Sequence, residues 1–103
     1  MGLTAFPLSM AKQKMNHKEI TIINKLGLHA RAAAKFVKVA SSFQCEINVY
    51  AGHKEVSGKS IMGIMMLAAG KGSSIEIKTI GPDEDAAMSA LEDLINDKFG
   101  EDE

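Results

Sequence analysis

The sequence predicts an α+β domain of two layers, a mostly antiparallel sheet with helices covering one of its faces. Three observations predict it. Two segments, around Cys45–Tyr50 and Ile75–Lys78, alternate between apolar and polar residues, so one sheet face is buried and the other is wet. The helix and strand signals come in the order β-α-β-β-α-β-α, and the second and third strands meet at a hairpin turn, Ala51-Gly52-His53-Lys54. With 103 residues, the chain has room for one core.

Each element has its own signal. Residues 18–24, KEITIIN, are rich in β-branched side chains and read as the first strand. Residues 29–42 lack Gly and Pro, and Ala30, Ala33, Ala34, Val37 and Ala40 recur at helical spacing as one apolar face. Cys45, Ile47 and Val49 alternate with Glu46, Asn48 and Tyr50 in the second strand, and residues 54–57 pair back as a short third. Gly58-Lys59-Ser60 opens a short helix over 60–68 with Ser60 as its N-cap, and Gly70-Lys71-Gly72 ends it. Ile75 and Ile77 alternate with Glu76 and Lys78 in the fourth strand. Gly81-Pro82-Asp83-Glu84-Asp85 starts the last helix, with Pro near the first turn and acids at the positive end of the dipole. Its apolar stripe is Ala87, Met88, Leu91, Leu94, Ile95 and Phe99, and Gly100 closes it. This divides the chain into a flexible extension over 1–16, with Met10 and Met15 as further candidate starts, a domain over 17–100 and an acidic tail over 101–103.

Composition excludes several classes of function. The net charge of −1 gives no overall pull toward nucleic acid or a membrane surface, and no apolar run reaches the length of a membrane span. Residues 1–11 lack the basic start of a signal peptide. The single cysteine, Cys45, rules out an internal disulfide or a multi-cysteine metal site, and it fits a reducing, cytoplasmic setting. Cys45 reads as a small buried hydrophobe. The charges are unevenly spread: residues 11–38 carry seven Lys/Arg against one acid, whereas residues 83–103 carry nine acids against one base. A basic surround favours phosphate and acidic partners; sorting by chance is the other reading.

The basic segment holds Gly27-Leu28-His29-Ala30-Arg31, with the histidine where a helix begins. A helix start presents unpaired N–H groups and the positive end of the macrodipole, which suits an anion. Imidazole is largely neutral near pH 7 and is a competent nucleophile. The backbone N–H groups of Ala30 and Arg31 and the guanidinium of Arg31 would then receive phosphoryl oxygens, with Gly27 allowing a sharp turn before them. A histidine at a helix start also reads as a cap or a plain surface residue. His17, placed with the leader, and His53, in the turn, receive no role. No second carboxylate, Ser-His-Asp set or metal-ligand cluster is expected to converge on His29, and no cofactor or metal is expected.

A second constellation is Gly58-Lys59-Ser60-Ile61-Met62-Gly63. The short helix is apolar nearly all round. Either Ile64 and Leu67 face the core while Ile61, Met62 and Met65 form an exposed docking patch, or all of them fill the core. Ser60 reads as a plain cap; phosphorylated, it would place about two negative charges beside that patch.

These two motifs, at their spacing, resemble those of the HPr family, the histidine phosphocarriers of the bacterial phosphoenolpyruvate-dependent sugar phosphotransferase system. The resemblance covers about residues 17–99. It implies an open-faced β-sandwich, a four-stranded antiparallel sheet with three helices on one side. It implies that His29 is phosphorylated on Nδ1 by enzyme I, with Arg31 assisting, and passes the group to the IIA domain of a sugar permease. Ser60 would be the target of an HPr kinase/phosphorylase. Ile61, Met62, Met65 and Lys38 would form the docking surface, a transcriptional regulator would be a further partner, and the carrier would act as a monomer. One position departs from the family pattern: Ala32 stands where the family usually has proline, restoring a backbone donor in the first turn and loosening it. A regulatory module that docks under control of Ser60, and a carrier in a regulatory phosphorelay without sugar uptake, are the alternatives.

Overall fold

The computed structural model describes residues 16–103, so the expected extension, apart from Asn16, and the candidate starts Met10 and Met15 lie outside the described residues. Period-two alternation builds one antiparallel sheet from β1 (Asn16–Thr21), β2 (Glu46–Ala51), β3 (Lys54–Ser57) and β4 (Ser74–Ile80), in the spatial order β1-β4-β2-β3. The register aligns Ile20 with Ile75, Val49 with Ile77 and Ile47 with Thr79, so these side chains share the buried face. On the other face Asn48 aligns with Lys78 and Tyr50 with Glu76, and the Lys78 ammonium lies 5.6 Å from the Tyr50 ring centre. The helices α1 (Ala30–Ser41), α2 (Ile61–Met66) and α3 (Glu84–Asn96) complete the expected α+β architecture. Among the described residues no helix is long and apolar enough to cross a membrane.

Several features differ from expectation, each for a local reason. The first strand ends at Thr21, and Ile22 then bonds the loop before β4 through Ser73 and Gly72. His17 belongs to β1 rather than to a leader, and it meets Glu76 across the sheet at 2.8 Å. In α1 the buried face is Ala32, Ala33, Phe36 and Ala40, whereas Ala30 and Ala34 are exposed; the helix lies against α2, α3 and residues 98–100. Helix α2 is one residue shorter at its start and two at its end, because Ser60 is the cap and Ala68 adopts a positive φ of 54°.

One more difference bears on function. The last helix does not run to Phe99. It ends at Asn96, and Lys98, Phe99 and Gly100 all take positive φ (56°, 57° and 76°), forming a tight turn. Left-handed backbone at the two non-glycine residues costs roughly 1–2 kcal/mol each. Phe99 offsets much of this by being fully buried, worth roughly 1.5–3 kcal/mol. The apolar stripe therefore keeps Phe99 in the core while the helix axis stops short of it.

At the start of α3, Asp83 makes no side-chain cap. Its carboxylate reaches across to accept the N–H groups of Gln44 (2.8 Å) and Cys45 (2.9 Å). The Gln44 bond, followed by those from Cys45, outweighs burial and holds the Asp83 carboxyl below its ordinary range. Cys45 is buried as expected, and burial followed by the neighbouring Asp83 pushes its thiol up to about 11, so it is inert.

Candidate phosphoryl site at the start of α1

The loop before α1 is pinned on both sides of the histidine. Leu28 is buried, and its N–H donates to the Ala69 carbonyl at 2.9 Å. Gly27 turns the chain with φ of 67°, against a backbone so close that an added Cβ would lie 2.5 Å from the Ala69 oxygen. His29 follows as the N-cap of α1, in extended backbone (φ −73°, ψ 177°), with no side-chain capping bond. The first helical bond runs from the Ala33 N–H to the His29 carbonyl, so the N–H groups of Ala30, Arg31 and Ala32 precede the helical ladder. Ala32 itself is fully buried, so its methyl faces the core.

The histidine ring sits in an open cleft of about 780 Å³ lined by Lys25, Leu26, His29, Ala30, Arg31, Lys35 and residues 100–103. Arg31 is exposed and, among the described residues, forms no ion pair. Three cations thus surround one histidine and a helix start, an arrangement that suits a phosphoryl group.

A carboxylate does converge on His29, against expectation. Glu101 Oε2 lies 2.5 Å from His29 Nε2, and the two side chains are only 15% and 27% exposed. The other oxygen, Oε1, accepts from Asn24 Nδ2 at 3.0 Å, and the same amide donates to the Gly27 carbonyl at 2.9 Å. Both neighbours of Asn24 are acceptors, so its nitrogen must face them; its Oδ1 is left buried without a protein partner. One fully buried asparagine therefore ties the turn that carries His29 to the C-terminal segment.

The expected acidic tail is thus part of the site. Glu101 donates its N–H to the Lys98 carbonyl, Lys35 Nζ donates to the Phe99 carbonyl at 2.6 Å, and the Lys25 N–H donates to the Glu103 carbonyl at 2.9 Å. Lys25 and Glu103 also pair through their side chains at 3.1 Å, and Lys18 pairs with Glu92 of α3. Part of the charge asymmetry in the sequence is answered inside the molecule. The exposed Lys25–Glu103 pair contributes little by itself. Only the order EDE after a C-terminal glycine hinted at these contacts.

Burial pushes the Glu101 carboxyl up, but the Asn24 bond and the contact with His29 more than reverse this, leaving it below its ordinary 4.5. A carboxylate depressed in the folded state contributes stability above its unfolded value, and that contribution is lost as pH falls through the folded one. The Glu101 contacts are therefore expected to hold at neutral pH and to open only in acid, as pH falls through a value below the ordinary carboxylate one. Amide hydrogen exchange of residues 98–103 across pH 3–6 will show this as faster exchange at the acid end, once corrected for intrinsic rates.

The second constellation is placed as expected in part. The Ser60 hydroxyl caps α2 by accepting from the Gly63 N–H at 3.0 Å. Ile64 and Leu67 are buried, whereas Ile61 (43%), Met62 (70%) and Met65 (40%) are exposed. Met66 (63%) and Leu26 (65%), which lines the His29 cleft, are exposed apolar residues not singled out from sequence; the all-round apolar helix carried the signal for the former. Lys38 is exposed in the last turn of α1, a favourable place for a cation. His53 lies exposed in the β2–β3 turn, apart from these residues.

The chain is similar to known proteins along most of its length. Residues 16–97 match the family model described as the PTS HPr component phosphorylation site. The chain is 59% identical over 90 residues to the phosphocarrier protein HPr of Pseudomonas putida, and 58% identical over 89 residues to that of Neisseria meningitidis serogroup B; each alignment covers 86% of this chain and all of the relative. The crystal structure of HPr-C-His from Thermoanaerobacter tengcongensis superposes with a TM-score of 0.82 at 48% identity, covering 85% of this chain and 99% of that one.

Proposed function

The chain belongs to the HPr family of phosphocarriers of the phosphotransferase system, and from that premise we propose that His29 accepts a phosphoryl group on Nδ1 from enzyme I, charged by phosphoenolpyruvate, and passes it to the IIA domain of a sugar permease. The observation that carries this reading is the division of labour on one ring: Nε2 is engaged by Glu101, while the ring sits in an open cleft beside Arg31 and the start of α1. The Nδ1 lone pair forms the bond to phosphorus as the donor's bond to it breaks. Charge on the phosphoryl oxygens is met by the N–H groups of Ala30 and Arg31 and by the Arg31 guanidinium. Onward transfer runs the same step in reverse toward a new acceptor. Ala32 supplies a further N–H in the first turn, where proline would supply none.

Intact mass tests the reading. Incubation with phosphoenolpyruvate and enzyme I is expected to give one acid-labile phosphoryl adduct, discharged when a IIA domain is added. No adduct, or an acid-stable one, on well-folded protein overturns it.

The exposed Ile61, Met62 and Met65, with Lys38, form the surface on which these partners dock, and Ser60 beside it is the site for an HPr kinase/phosphorylase. Ser60→Asp is expected to raise the KM for enzyme I by about tenfold through charge repulsion at the docking surface. Its melting temperature should change little, because aspartate is as good an N-cap as serine. Steady-state kinetics with enzyme I as the varied partner, alongside a thermal melt, checks both expectations.

A further inference from the structure

We propose that Glu101 is a positioning residue for the phosphoryl-accepting ring: it takes the Nε2–H hydrogen bond and so holds the Nδ1 lone pair ready in the cleft. The inference rests on the assignment of His29 as the carrier and deepens it. Four observations carry it. The carboxylate meets Nε2 directly, and both partners are largely shielded from water. A deprotonated carboxylate has no proton to donate, so a neutral imidazole facing it must carry its hydrogen on Nε2 and leave Nδ1 bare. The second carboxylate oxygen is held by a fully buried asparagine, which also grips the turn next to His29, so the carboxylate and the ring share one frame. Finally, the chain adopts strained backbone at Lys98 and Phe99 immediately before Glu101, and the buried Phe99 and the Lys35 bond to its carbonyl hold that turn. Strain that is held in place next to reacting groups points to a positional task.

The consequence extends to the phosphorylated ring. Once Nδ1 bears the phosphoryl group, Nε2 still carries its hydrogen toward Glu101, so the same contact serves both states. The carboxylate neither gains nor loses a bond to phosphorus; it orients the ring and balances charge that develops on it.

Two variants test this. In Glu101→Ala the Nε2 partner is gone. In Glu101→Gln the shape is kept, but the amide cannot accept from both Asn24 and His29; one of them must face its NH₂. Long-range ¹H–¹⁵N spectra of the unphosphorylated protein at pH 8 are expected to show the Nε2–H tautomer alone in wild type, with a slowly exchanging Nε2 proton. In both variants that proton should be lost to fast exchange, and in Glu101→Gln the Nδ1–H tautomer should become detectable. Phosphoryl acceptance from enzyme I should fall about tenfold in kcat for both variants, with KM changed less than twofold. Unchanged tautomer and proton exchange, or unchanged kcat in variants that fold, overturns the proposal. A wild-type chain that accepts no phosphoryl group overturns the carrier assignment instead, and the spectra still report on the Glu101 contact independently.

Discussion

Replacing His29 with alanine is expected to abolish the phosphoryl adduct while leaving the fold in place. The ring makes no capping bond, so the start of α1 loses little when it goes. The loss that remains is the contact with Glu101, whose carboxylate keeps Asn24 as a partner. That costs about 1–2 kcal/mol for a partly exposed charged bond. Leu28 and Ala33, which hold the two ends of the segment in the core, are untouched. The chemical loss is of another order. Without the imidazole there is no atom to hold the phosphoryl group, and neither His17 on the wet face of the sheet nor His53 in the hairpin turn has a helix start and an arginine beside it. The rate of acceptance should fall by more than about 10⁴-fold. Intact mass after incubation with phosphoenolpyruvate and enzyme I, paired with a urea titration, reads both quantities. An acid-labile adduct surviving on His29→Ala would place the accepting atom elsewhere.

The second large effect is on stability, in Gly27→Ala. The added methyl would sit 2.5 Å from the Ala69 carbonyl oxygen and 2.7 Å from the Gly70 Cα, both backbone atoms that cannot rotate away. The residue would also be held at φ of 67°, costing roughly 1–2 kcal/mol for any residue with a side chain. Overpacking against fixed backbone adds about 1–3 kcal/mol, so the total is roughly 2–5 kcal/mol. The first bond to give is the one from the Leu28 N–H to the Ala69 carbonyl, which holds the loop carrying His29 against the segment that follows α2. Phosphoryl acceptance is therefore expected to fall along with stability, and a drop in the urea midpoint at unchanged slope would identify the cause as native-state strain. A midpoint within experimental error of the wild type would show that the 68–70 segment yields freely.

What was legible in the sequence follows from short-range physics. Alternation along Cys45–Tyr50 and Ile75–Lys78 specifies which sheet face is buried, because successive side chains must point to opposite sides. Gly27, His29 and Arg31 lie within five residues, so a single turn and helix start bring them together. Ser60 capping α2 and the exposure of Ile61, Met62 and Met65 were likewise readable, because a helix of six residues has only one face to bury.

The face of α1 and the end of α3 were not readable by the same rules. Four alanines at plausible positions leave the helix face undetermined until the packing of α1 against the other two helices takes Phe36 into the core. Helical periodicity through Phe99 is kept by a turn that is not a helix, since burial of one aromatic ring offsets much of the cost of left-handed backbone.

The pattern of residues 17–80 thus determined by itself which sheet face is buried, the turn and helix start that hold His29 and the capped helix, since each of these depends on neighbours a few positions away, whereas the strand order and the bond from Leu28 to Ala69 join distant segments. Only the tertiary structure decided that Glu101 meets His29 across 72 positions of sequence. That contact depends on where the core places Phe99, on a buried asparagine with nitrogen facing two acceptors, and on a turn that costs energy to make. None of these has a period or a motif, because each is selected by the packing of the whole domain rather than by the preferences of its own segment.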